Sequence, residues 1–202
     1  MPGAEGWLLR QRLAAEYGLP VATFRYHSRQ QSIGAIIAAL HRQVQLLSAR
    51  QDPGGMLHFV GHSLGGIIIL RYFERHAPSR PGRVVLLGTP AQGSVLARRL
   101  GQSHFGQALM GPVVVQELLR PEQRHWSFSQ ELGIIAGTHS LSVGRVMLRL
   151  PEPNDGTVAV SETRLPGAAQ RLCLRVTHTG MLFSRQVAHH TGHFLEHGHF
   201  DV

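Results

Sequence analysis

Gly61-His62-Ser63-Leu64-Gly65 is the stretch of this chain whose residue types and spacing point most directly to chemistry. A serine held between glycines at this spacing, on a sharp turn from strand to helix, stands clear of the backbone as an exposed nucleophile. Met56 to Val60 before it is short and apolar, as a buried strand would be, and Gly66 to Phe73 opens an apolar helical pattern. Such a turn strains its central residue, and Gly61 and Gly65 are read as the positions where side chains would collide across it. His62 completes the elbow. The helix N-terminus then lies beneath Ser63, with the Leu64 amide aimed at a developing oxyanion.

A serine hydroxyl needs a base to take its proton, and the base needs an acid to orient it. After an elbow of this kind the acid comes first in the chain and the histidine second. Asp155 lies in the polar turn Pro153-Asn154-Asp155-Gly156-Thr157 that follows an apolar run. His178 follows the apolar run Leu172 to Val176. Both therefore sit where a loop leaves a strand end. An Asx turn before a strand is the competing reading of Asp155; Glu152 and Glu131 are the reserve acids. His178 competes with the other members of a set of 14 histidines.

The elements that must position these groups alternate. Trp7 to Tyr17 reads as an amphipathic helix that ends at Gly18 and Pro20, and Val21 to Tyr26 reads as a strand. Ile33, Ile36, Ile37, Leu40, Val44 and Leu47 recur at helical spacing behind Ser32, and Asp52-Pro53-Gly54-Gly55 is a turn. Val84 to Leu87 and Leu132 to Ala136 are further buried strands. Continuous apolar strands alternating with helices predict an α/β protein, with a mostly parallel central sheet covered by helices on both faces. A single domain over residues 1–202 is expected. Residues 101–130 break the rhythm with glycines, Pro112, Pro121 and apolar groups that read as exposed, Val113 to Val115 and Trp126. They are either a flap over a pocket or an irregular excursion packed on the core.

In these residues the chain resembles the α/β-hydrolase superfamily, in particular the small bacterial lipases and esterases without a large lid. The resemblance rests on Gly61 to Gly66, Leu86 to Ser94, Asn154 to Val158 and His178 to Ser184, and it covers nearly the whole chain. It implies that Gly88 to Pro90 pass close to the active site. Such enzymes open with a strand that ends in a His-Gly loop supplying a second oxyanion amide. Met1 to Trp7 is similar to the segment just after that loop, so the strand is expected upstream of Met1 or lost.

Charge and composition narrow the partners. The formal net charge is +8 and all 20 basic residues are Arg, scattered rather than gathered into a stripe with aromatics. Nucleic acid is therefore not the expected partner; loose contact with an anionic membrane surface is compatible with the charge. The lone Cys173, in an apolar run, is expected to be a small buried residue. No apolar run is long enough to span a membrane and no secretion signal opens the chain, so a cytoplasmic location is expected. His189, His193 and His197 fall four apart, as three imidazoles on one helix face would; a polar face with Phe194 and Leu195 turned inward is the plainer reading.

The expected function is that of a serine carboxylic-ester hydrolase, esterase or lipase, acting through an acyl-enzyme on Ser63 with Asp155 and His178. It needs no cofactor and no metal, and its partner is a small-molecule or lipid ester. An acyltransferase or amidase on the same three residues is a close variant. The alternative of another class is a catalytically impaired binding protein of the same fold, or a truncated fragment.

Overall fold

The computed structural model describes residues 6–52, 54–76, 78, 82–102, 110–119, 123–140, 150 and 153–202. The apolar spacings become helices where they were expected. α1 spans Trp7–Tyr17 and closes at Gly18, whose φ of 61° is the left-handed C-cap that glycine adopts freely. α2 spans Ile33–Ser48, and the Ser32 hydroxyl accepts from the Ala35 amide, one of the first-turn donors with no partner inside the helix. α3 spans Leu64–His76, α4 Val95–Leu100, α5 Pro112–Leu118 and α6 Arg185–His197.

The strands are β1, Phe59–His62; β2, Val84–Leu87; β3, Leu132–Gly137; and β4, Gln170–Leu174. They form one sheet in the order β1-β2-β3-β4, with every neighbouring pair parallel. Side chains alternate across it, so each strand feeds two cores. Val84, Leu86, Leu132 and Ile134 pack with α2 and α3 on one face. Val85, Leu87 and Ile135 pack with α1 and α6 on the other, where Phe194 is fully buried. A sheet covered on both faces explains why β2 and β3 read as unbroken apolar runs rather than as alternation. All four strands point the same way, and the loops that leave β1, β2 and β3 gather at one end, where a parallel sheet places its ligand site.

Several expectations are corrected. Val21 to Tyr26 forms no strand: no ladder partner lies beside it among the described residues, and Val21, Ala22, Thr23 and Arg25 are exposed. β1 begins later than Met56, and β4 covers Gln170–Leu174 instead of Leu172 to Val176. Cys173 is exposed, because β4 pairs with β3 on one side only and turns this residue to solvent. Val113 and Trp126 are buried, not exposed, and the Trp126 indole N–H donates to Gln130 O at 2.7 Å. Residues 103–109 and 120–122 of the 101–130 segment, and Glu152, lie outside the described residues. Among the described residues no helix is long and apolar enough to cross a membrane.

Candidate active site

β1 delivers Ser63 to the top of the sheet, where its amide donates to Leu87 O at 2.9 Å and extends the ladder one residue past the strand. The chain then turns at once into α3. Ser63 takes φ +53°, the one positive φ of a non-glycine residue among the described residues. A side chain in that region costs about 1–2 kcal/mol, so the surrounding contacts hold it there. Gly61 permits the turn: a Cβ there would lie 2.7 Å from Gly66 Cα and from Ile69 Cδ1. The second steric glycine is Gly66 and not Gly65. A Cβ at Gly66 would run into the Thr89 side chain, 2.7 Å from its Cγ2, whereas one at Gly65 meets nothing nearer than Tyr26 Oη at 4.0 Å. Gly65 has room for a Cβ; Gly66 faces the loop after β2.

Asp155 and His178 come together across 23 residues of sequence: His178 Nδ1 lies 2.8 Å from Asp155 Oδ2. The carboxylate is buried at 2% exposure. Its Oδ1 accepts from the Thr157 and Val158 amides at 2.9 and 2.7 Å, and the His178 amide donates to Asp155 O at 2.9 Å. An ionised carboxylate only accepts, so Nδ1 carries the proton of that bond and Nε2 is left as the ring's acceptor. The Asx turn weighed as a rival reading is therefore present, and it is what fixes the carboxylate: one oxygen serves the turn and the other serves the imidazole. Glycines make room for the pair. A Cβ on Gly88, at φ +52°, would lie 3.1 Å from Asp155 Oδ2 and 3.2 Å from His178 Nδ1; one on Gly137 would lie 2.7 Å from Asp155 Cβ.

His178 also packs against the elbow. Its ring centroid is 4.6 Å from that of His62, and His62 Nε2 donates to His178 O at 3.0 Å. Burial, then the neighbouring His178, pushes the His62 pKa down to about 4. His62 thus stays neutral and ties the histidine loop to the strand that carries Ser63. Ser63 Oγ itself makes no hydrogen bond among the described residues. It lines a cavity of about 550 Å³ together with His62, Leu64, Tyr26, Met110 and Val114. Tyr26 is pushed up to about 12 by burial, so this wall stays uncharged at the phenol. Leu64 is the first residue of α3, and first-turn amides have no partner inside their helix.

Gly137 carries no sequence signal, and His62 shows in the sequence only as part of the elbow. His62 and Gly137 reach the site only through the folded chain. Glu162 Oε2 accepts from Ala159 N at 2.7 Å and its Oε1 accepts from Val95 N, which joins the Asp155 loop to the loop after β2. Burial raises its pKa. The one cue for Glu162 is its place two residues past the short apolar run Val158 to Val160. Glu131, a reserve acid, is exposed and pairs with Arg83 at 2.6 Å. In α6, His189 is held by Asp201 at 3.0 Å, and Phe194 and Leu195 turn inward. No group of three His, Cys, Asp or Glu side chains among the described residues is arranged to hold a metal.

No protein-family model matches the chain, and no curated protein matches it. Solved structures do. The mature form of the lipase BlEst2 from Bacillus licheniformis superposes with a TM-score of 0.56 at 23% identity, over 77% of this chain and 69% of that one. The metagenomic carboxyl esterase MGS0156 gives 0.60 at 17%, over 84% and 57%. The phospholipase PlaB from Legionella pneumophila, in complex with thio-NAD, gives 0.60 at 19%, over 80% and 40%. This chain therefore spans well under two thirds of the latter two. Together with the parallel sheet and the elbow, these likenesses show the α/β-hydrolase fold.

Proposed function

We propose that this chain is a serine carboxylic-ester hydrolase in which Ser63 is the nucleophile, His178 the base and Asp155 the acid. The observation that carries the reading is the buried Asp155 bonded to His178 Nδ1 at 2.8 Å, at the same end of the sheet as a serine held at φ +53°. The names of the structural neighbours (lipase, carboxyl esterase, phospholipase) support an ester as substrate.

In the proposed cycle Ser63 Oγ attacks the ester carbonyl while its proton passes to His178 Nε2. The carbonyl electron pair moves to oxygen, where the Leu64 amide receives it. The intermediate collapses, and the leaving alkoxide takes the proton from Nε2. Water then gives its proton to Nε2 and attacks the acyl carbon; Ser63 departs with the proton returned. Asp155 stabilises the imidazolium without taking the proton itself.

Purified protein should hydrolyse a short-chain chromogenic ester. Ser63→Ala should lower turnover by about 10⁴-fold or more, with unchanged circular dichroism. Equal hydrolysis by the variant would put the nucleophile elsewhere. A wild-type chain that binds esters without cleaving them would turn the reading to an impaired binding protein.

A further inference from the structure

The cavity in front of Ser63 has a lining of two kinds. Among the described residues Leu64, Met110 and Val114 are apolar, His27, Arg29 and Gln30 are polar or basic, and none is a carboxylate. His27, Arg29 and Gln30 are exposed, on a turn that its own hydrogen bonds hold. His27 O accepts from the Gln30 and Gln31 amides at 3.0 Å each, and Gln31 Oε1 accepts from the His27 amide at 2.7 Å. The stem of Arg29 lies on the start of α5: a Cβ on Gly111 would come within 2.9 Å of Arg29 Cγ and 3.0 Å of its Cα. The guanidinium forms no ion pair or hydrogen bond among the described residues. Its planar fork matches a phosphate or carboxylate.

An elongated ester bound here divides at its carbonyl. Hydrocarbon matches Leu64, Met110 and Val114, so the acyl chain takes those contacts. The polar alcohol half is then the one matched to Arg29 and its neighbours. We propose that the 27–31 turn is a subsite for an anionic group on the alcohol, and that the substrates are acyl esters of phosphate-bearing alcohols. The proposal rests on the ester-hydrolase reading and names the substrate class for that site. The net charge of +8 adds a long-range attraction for such a molecule.

The test compares three octanoyl esters as monomers in solution: octanoyl glycerol, octanoyl glycerol phosphate, and the octanoyl ester of glycolate. Covalent labelling of Ser63 by a fluorophosphonate is the control. The proposal predicts kcat/KM for the phosphate ester roughly tenfold above that for the neutral ester at low ionic strength, about 1.4 kcal/mol. The ratio should shrink in about 0.5 M salt, where charges are screened within a few ångströms. Arg29→Gln should bring the ratio to about one, and Arg29→Lys should retain part of it. A ratio of one in the wild type, or one that Arg29→Gln leaves unchanged, overturns the subsite while Ser63 labelling keeps the hydrolase reading. Preference for the glycolate ester over the phosphate ester overturns the phosphate assignment. No cleavage of any ester together with no label on Ser63 overturns the hydrolase reading itself.

Discussion

His62 shows how one side chain couples stability to the site. Its pKa is pushed from the ordinary 6.5 down to about 4 by burial and by His178. The unfolded chain therefore binds this proton more readily than the folded one. His62 contributes its full stability above about pH 6.5, and that contribution is lost as pH falls toward about 4. The gap corresponds to about 3 kcal/mol. Urea unfolding at about pH 7 and about pH 4.5 should show a fall in stability that His62→Gln reduces; an equal fall in the variant would assign the acid sensitivity to other groups. Nothing in the pentapeptide announces this bond. The turn at Ser63 is legible because its glycines and serine lie in adjacent residues between an apolar strand and an apolar helix, and the loop that carries His178 because it follows an apolar run. Their supports are not legible, because His62 meets His178 across 116 residues and a glycine's neighbours appear only after folding. Gly65 shows the same limit: the motif marks both flanking glycines, but the steric demand falls on Gly66.

The elbow makes this difference measurable at the level of the element. Gly66→Ala drives a methyl into Thr89 and Gly65→Ala places one 4.0 Å from Tyr26 Oη. Overpacking of that kind costs typically about 1–3 kcal/mol, so Gly66→Ala should lower the melting temperature by several degrees and Gly65→Ala by little. Equal melting temperatures would mean that β2 and α3 yield more easily than their packing implies. α5 is secured differently. Glu117, buried at 2%, accepts from Arg71 Nε at 2.7 Å on α3 and lies 3.3 Å from Arg124 Nη2. Removing one member of a buried charge cluster costs roughly 3–5 kcal/mol. Glu117→Gln should therefore lose about that much in chemical denaturation, and a loss below about 1 kcal/mol would show the cluster to be incidental. The segment looked exposed in sequence because glycine and proline break its periodicity, and apolar residues without a period carry no direction. Val113 and Trp126 are nevertheless buried, and the Arg71–Glu117 contact spans 46 residues that no local pattern links.

At the scale of the whole molecule, the parallel sheet was legible because β2 and β3 are buried on both faces and read as apolar throughout. The ends of the sheet were not. Among the described residues Val21 to Tyr26 has strand-like residues but no ladder, and Cys173 sits in an apolar run on a strand with one neighbour. Central strands are specified by burial, whereas edges depend on what lies beside them. The loop positions that bring Ser63, Asp155 and His178 to one end follow from that central sheet. The central claim is that these three act as one unit, and reaction with a fluorophosphonate tests it most directly. Peptide mapping should find a single adduct on Ser63, and Asp155→Asn should slow its formation by about 10³- to 10⁴-fold at unchanged fold. An adduct on another residue, or an Asp155→Asn protein that reacts at the wild-type rate, would contradict it.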